Sequence, residues 1–381
     1  MNAPSRSPAA GGSAQPATAP FVHLKVHSAY SLLEGALPIA RLAKLAVGYG
    51  YPALGLTDTN NLFGALEFSD KLAAAGVQPI IGVSLNIDFG DRKSDPHERM
   101  PARVEGDGLL ALLAMNEAGY ANLLKIVSRA HLQSPDTDCV HTTREALAAH
   151  AEGIIALTGG PDGPIDRALA EGQKPLAESR FAFLRKTFGD RLYVEIQRHG
   201  LKPELEVEPQ LLQLAYAHHV PIVATNEAYF ATPDDYEAHD ALLCIAGGRY
   251  VVEDDRRRLT PEHDFKGPEA MVKAFADLPE ALENTIEIAK RCAFRPKGKK
   301  PILPRFVASD DAVSETEHSR LEAAELKRQA EDGLKARLQA GGPADGYTVE
   351  DYEKRLAYEL AVITGMKFPG SFLIVADFIK W

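Results

Sequence analysis

The sequence predicts an α/β barrel, on three observations. Short aliphatic and β-branched runs alternate with helix-period stretches seven times between residues 21 and 230, and strands separated by helices imply parallel pairing through right-handed crossovers. Polar residues gather at the last positions of those strands: His27 and Ser28, Asp58 and Thr59, Asn86, His199, Glu227. A barrel collects its site at the carboxyl ends of all its strands, whereas a doubly wound sheet uses one switch point. Finally, no GxGxxG follows the first strand and no GxxxxGK[ST] occurs anywhere, so the phosphate-cradling loops of the common doubly wound nucleotide folds are missing.

The elements follow in order. Residues 1–20 are rich in Ala, Pro, Gly and Ser without the apolar core of a signal peptide, and read as a disordered tail. Strands are expected at FVHLKVHS (21–28), ALGLTD (53–58), PIIGVSLNI (79–87), LLALLAM (109–115), GIIALTGG (153–160), LYVEIQRH (192–199) and PIVATNEAYF (221–230). The polar, aperiodic segment 88–108 reads as an inserted surface loop or hairpin. After the seventh strand the pattern turns helical: Thr232 is a natural N-cap with Pro233 at N1, and Gly247 can close that helix. A further helix, DLPEALENTIEIAKRCAF, ends the first domain near Cys292. RPKGKKPILPRF is a proline-punctuated linker, and SETEHSRLEAAELKRQAEDGLKARLQA is a long, mostly solvated helix. The closing stretch DYEKRLAYELAVITGMKFPGSFLIVADFIKW opens a second domain, and the apolar run before Trp381 suggests a fragment. The expected division is 1–20, 21–292 and 293–381.

Composition narrows the function. Hydrophobic residues make up 45% and charged residues 25% of the chain, and no apolar run approaches the roughly 18 residues of a membrane span, so no membrane role is expected. Cys139, Cys244 and Cys292 are scattered, without a CxxC pair, which argues against disulfides or a thiolate zinc site and for a cytoplasmic location. A formal charge of -11 repels nucleic acid over most of the surface; RPKGKK at 295–300 is the best local exception, and reads equally as a solvated linker.

The chemical signal lies in the first strand. Period-2 alternation puts His23, Lys25 and His27 on one face. Two imidazoles there suggest a metal site, yet the lysine between them has no lone pair to give. With Asp58, Glu34 and Glu227, the mouth offers a thin, mostly acidic ligand set. Hydrogen-bonded rim groups are the simpler reading. Lys25 is expected to pair with Asp58, Glu34 or Glu227, because carboxylates crowded in a pocket need a compensating charge. Nucleophilic hydrolysis has no support, since no GxSxG elbow is present. His218 and His219 suit a helix end, His239 and Asp240 suit packing, and His199 lines the mouth without assigned chemistry.

In order and spacing, FVHLKVHSAYSLLEGA, PALGLTDTNNLFGALEF, IIGVSLNI, LLAMNEAGYANLLKIVSRAHL, EIQRHG, VATNEAYF, AHDALLCI and FPGSFLIVADFIKW resemble the alpha-subunit family of bacterial DNA polymerase III, replicative rather than error-prone. The resemblance implies a polymerase and histidinol phosphatase (PHP) domain, a distorted seven-stranded (β/α) barrel, followed by the start of a mostly helical palm domain. Intact PHP centres hold three metal ions at nine positions, which fall here on Lys25, His27, Glu34, Thr59, Ser84, Leu109, Gly160, Glu227 and Tyr229. Of these only His27, Glu34 and Glu227 ligate well, so the resemblance implies a vestigial pocket with no catalytic residue, no metal and no cofactor in this chain. It further implies docking of the proofreading exonuclease (epsilon) subunit here, with the sliding clamp, the clamp loader and primed DNA engaged elsewhere in the subunit. Magnesium-dependent DNA synthesis from dNTPs would use palm aspartates beyond Trp381, so the chain alone is expected to be inactive. The alternative is an active metal-dependent PHP phosphoesterase, proofreading or pyrophosphate-removing.

Overall fold

A computed structural model describes residues 21–91, 106–135, 138–299, 304–307 and 314–381. The expected tail, the centre of the 88–108 insert and parts of the linker lie outside the described residues. Two compact units divide the chain, Met1–Gly298 and Lys299–Trp381.

In the first unit the strands are β1 (Ala53–Leu56), β2 (Gln78–Asp88), β3 (Gly108–Ala114), β4 (Thr142–Thr143), β5 (Ile154–Leu157), β6 (Leu192–Ile196) and β7 (Ile222–Ala224). They pair in the order β1-β2-β3-β5-β6-β7, with the short β4 on β2. Residues 21–28 close the ring. Gly55 N and Thr57 N donate to His23 O and Val26 O on one side, and on the other His27 N donates to Ala228 O, just past β7. Six of the seven expected strands are therefore strands of the sheet, and the expected first strand closes the ring as an extended segment with a single β-bridge, Val26 to Ala228. One expectation fails: β3 runs antiparallel to both β2 and β5. Among the described residues no helix lies between β2 and β3, and an antiparallel neighbour does not need the crossover that parallel pairing demands.

Helices α1 (Ile39–Gly48), α2 (Ala65–Ala74), α3 (Glu117–Gln133), α4 (Arg144–Ala149), α5 (Pro164–Ala170), α6 (Lys174–Phe188) and α7 (Lys202–Ala217) connect the strands. Apolar faces of these helices, carrying Leu42, Phe68, Leu123, Phe181 and Leu211, pack with outward strand residues such as Leu54, Leu112 and Val194. Thr232 caps a short 3-10 turn through Asp235 rather than a helix proper, and α8 (Tyr236–Gly247) follows, closed by Gly248 in the left-handed region. Next come α9 (Pro268–Ala274) and α10 (Pro279–Arg291). Ile288 and Ala289 of α10, with Cys292, join Val22, Leu24, Ile80, Leu113, Ile155, Tyr193 and Val223 in a second apolar cluster inside the barrel. That cluster is the barrel floor. Thr285 accepts from Val22 N, and Gln78 donates to Ala289 O, tying the plug helix to two strands.

The first strand does not keep its alternation. Between the 23/55 and 26/57 hydrogen-bonded pairs the leading segment spans three residue steps where β1 spans two. One extra residue against a regular partner is a β-bulge, and it flips the side chains beyond it. His23 accordingly faces outward among Phe21, Tyr51 and Phe265, while Leu24 joins the floor and Lys25 the interior above it. The shared face expected for His23, Lys25 and His27 is thus corrected to Lys25 and His27 alone. Gly55 makes the bulge possible: a Cβ there would stand 2.3 Å from Leu24 O.

In the second unit, α11 (Glu315–Gly341) packs against both α12 (Val349–Gly365) and α13 (Pro369–Lys380). Glu322 is its buried polar centre, accepting from Phe306 N and pairing with His318. Gly370 lets α13 start against that carboxylate, since a Cβ would lie 2.4 Å from it.

Two outcomes are expected from this fold. Gly55→Ala should destabilise the chain by about 1–3 kcal/mol, the usual penalty for overpacking, whereas Gly48→Ala, with open space around it, should be neutral or stabilising; urea unfolding distinguishes them. Burial lowers the pKa of His23 to about 4, so the folded state keeps it neutral while the unfolded chain takes up a proton below about 6.5. Stability should therefore fall as pH drops from about 6.5 towards 4, by up to about 1.4 kcal/mol per unit from this residue. His23→Leu should flatten that limb, measured as the urea midpoint against pH.

Candidate functional site

Above its apolar floor the barrel interior becomes polar, with Lys25, Thr57, Ser84, Glu195, Gln197, Thr225 and Glu227 all buried. Lys25 is its centre, and its side chain is wholly inaccessible to solvent. Its ammonium donates to Gly159 O at 2.8 Å and lies 3.0 Å from Glu227 Oε1 and 3.5 Å from Glu195 Oε1. Three acceptors match the three N–H bonds of an ammonium. Burial alone would lower the pKa of Lys25, but the charges of Glu195 and Glu227 outweigh it and hold the group above its ordinary value. Burial would likewise raise that of Glu227, and Lys25 with His27 pulls it well below the carboxylate range.

Each partner is itself held. Glu195 accepts from Gly159 N at 3.0 Å, Gln197 Nε2 at 2.7 Å and Thr225 Oγ1. Glu227 sits at φ 44, a conformation that costs a non-glycine residue about 1 kcal/mol or more and persists only where surroundings enforce it. Here they do: Oε1 is within 3.2 Å of His27 Nε2 and of the Tyr229 hydroxyl that donates to it. The His27 and Tyr229 rings stack at 4.3 Å with planes 1° apart. Of the three partners expected for Lys25, Glu227 is the one the structure provides.

The others are used differently. Asp58 is consumed by the first loop, accepting from Ser28 N, Ser28 Oγ and Ser31 Oγ at 2.7–2.8 Å. Glu34 accepts from Thr59 Oγ1 at 2.6 Å and from Arg257 at 2.6 Å, and its pKa is lowered because Arg257 and Thr59 outweigh its burial. Thr59 bridges to Ser84, whose hydroxyl makes no hydrogen bond among the described residues. Leu109 and Gly160 complete the rim as packing positions: a Cβ at Gly159 would strike Leu109 O, and one at Gly160 would strike Gln197. Among the described residues, no three His, Cys, Asp or Glu side chains are arranged to hold a metal ion.

Glu195 and Arg257 escaped sequence reasoning. Glu195 carried a signal: it is the acid at an inward position of LYVEIQRH, flanked two residues away by the inward Tyr193 and Gln197. Arg257 carried none, because only the folded loop brings it back across more than 200 residues to Glu34. His199 bonds Glu204 and Asn226 O and stacks on His263, and His239 Nε2 donates to Glu34 O; both are structural.

Lys25→Ala should cost about 3–5 kcal/mol, the scale for stripping one partner from a buried ion pair. Lys71→Ala, which removes the half-exposed Lys71–Glu67 pair, should stay within about 0.5 kcal/mol. Denaturant unfolding of both variants checks the difference, and equal losses would contradict the assignment.

Comparison with known proteins adds the lineage. Residues 23–199 match the PHP domain, and residues 324–381 match the bacterial DNA polymerase III alpha NTPase domain. A DNA polymerase III subunit alpha from Caulobacter vibrioides is 49% identical over 95% of this chain and 30% of its own length. Those of Rickettsia bellii and Escherichia coli O157:H7 are 38% and 35% identical, again over 95% of this chain and 30% of theirs. The chain thus spans about 30% of the length of these relatives. Among solved structures, a two-domain protein from Bacteroides vulgatus containing a predicted PHP-like metal-dependent phosphoesterase aligns at 13% identity over 70% of this chain and 62% of that one, with a TM-score of 0.37. On the sequence matches, the chain belongs to the family of bacterial DNA polymerase III alpha subunits and carries its PHP domain.

Proposed function

We propose that this chain is the PHP-bearing portion of a replicative DNA polymerase subunit, and that its PHP domain is a scaffold stripped of hydrolytic chemistry. One observation carries the reading: the Lys25 ammonium is seated between Glu227 and Glu195 at the barrel mouth. A divalent cluster needs several converging lone-pair donors. A fixed ammonium offers none, and repels the ion while neutralising the acids that would bind it. Leu109 and Gly160, at positions where intact PHP centres ligate, have no side-chain donor. The residues present do not fit a trinuclear centre.

In this reading the division is a PHP domain over 21–292 and the start of a palm over 293–381. Lys25, His27, Glu34, Asp58, Thr59, Ser84, Leu109, Gly160, Glu227 and Tyr229 form a structural hub. The parent subunit performs template-directed, magnesium-dependent synthesis from dNTPs with residues outside this segment, in the cytoplasm, alongside a sliding clamp, a clamp loader and primed DNA. The domain's remaining work is to hold the proofreading exonuclease subunit, an activity it no longer supplies itself.

The test is metal analysis after equilibration with manganese or zinc, paired with an assay on a generic phosphodiester. Less than one tightly held ion per chain and no hydrolysis are expected. Three tight ions with turnover would establish an active phosphoesterase instead.

A further inference from the structure

We propose that residues 249–258 form a strap that latches across the barrel mouth through Arg257, a second fixed cation that seats on Glu34. The strap leaves α8 after Gly248, whose φ of 61 turns the chain back over the mouth. Arg256 is its hub. That side chain is only 2% exposed and grips both oxygens of Asp240 on α8 at 2.6 Å, while donating to Glu253 O at 3.0 Å and Val251 O at 3.1 Å within the strap. Pinning Arg256 to α8 aims the next residue inward, and Arg257 reaches Glu34 Oε1 at 2.6 Å.

Glu34 is a joint between three elements. Its second oxygen takes Thr59 Oγ1 from the end of β1, and its carbonyl meets His239 Nε2 of α8 at 2.6 Å. Arg257 therefore ties the strap to the first loop and, through that loop, to β1. A guanidinium suits this duty because it stays charged at any working pH and is less strongly hydrated than an ammonium. Arg258, its neighbour, comes no nearer than 4.0 Å to Asp240 and 3.8 Å to Asp254 among the described residues, so of the three consecutive arginines it is Arg257 that reaches Glu34.

The latch rests on the proposed function only for the origin of its acidic partner; its geometry stands separately. Hydrogen–deuterium exchange on the full chain tests it. Arg257→Gln should speed exchange about tenfold in 249–258 and 31–35, the size one charge-assisted hydrogen bond supports, with the β5 and β6 peptides unchanged. Glu34→Gln should reproduce that local pattern, and Arg258→Gln should leave it within about twofold of the parent. Unchanged exchange in Arg257→Gln, or equal loosening by Arg258→Gln, would overturn the latch. Tight metal binding by the parent chain with this exchange pattern intact would sink the scaffold reading and leave the strap standing.

Discussion

A buried ammonium between two carboxylates is the constraint on which the rest of this barrel depends. Taking Lys25, Glu195 and Glu227 out of water costs several kcal/mol per ion before any attraction is counted. The cost is offset only because every charge is met: Lys25 by three acceptors, Glu195 by a backbone amide and two side-chain donors, Glu227 by His27 and Tyr229. Such a network is fully satisfied or strongly destabilising, with little in between. That stake explains why Glu227 is held at a strained φ and why the chain tolerates a bulge to bring Lys25 inside.

The bulge also separates two chemistries on one strand. Outside, His23 lies among aromatic rings as a neutral, packed imidazole. Inside, His27 serves the carboxylate network. Because the floor below is apolar and plugged by α10, the polar layer is walled off from the far end of the barrel. Its charges can be balanced only from within the mouth or across it, which is where Lys25 and Arg257 stand.

Much of this was legible in the sequence, for physical reasons that also mark the limit. Seven apolar runs, separated by helix-period segments except across the polar insert 88–108, gave the staves, since burial on both faces leaves a continuous hydrophobic signature. Direction was not legible for β3, because a buried strand reads alike whichever way it runs. Lys25 stood out as an ionisable group inside an apolar run, and Glu227 was among the partners anticipated for it. Asp58 misled, as a strand-end acid can serve a serine turn as readily as a cation. The facing of His23 could not be foreseen: a single inserted residue inverts every position before it relative to those after, and the glycine that permits it, Gly55, sits on the neighbouring strand.

The most direct measurement is anomalous diffraction from crystals of the chain soaked in manganese and, separately, in zinc. The account predicts no anomalous peak inside the barrel mouth, with density for the Lys25 side chain running unbroken to Glu227. Three strong peaks there, with Lys25 swung out of its place between the two glutamates, would contradict it.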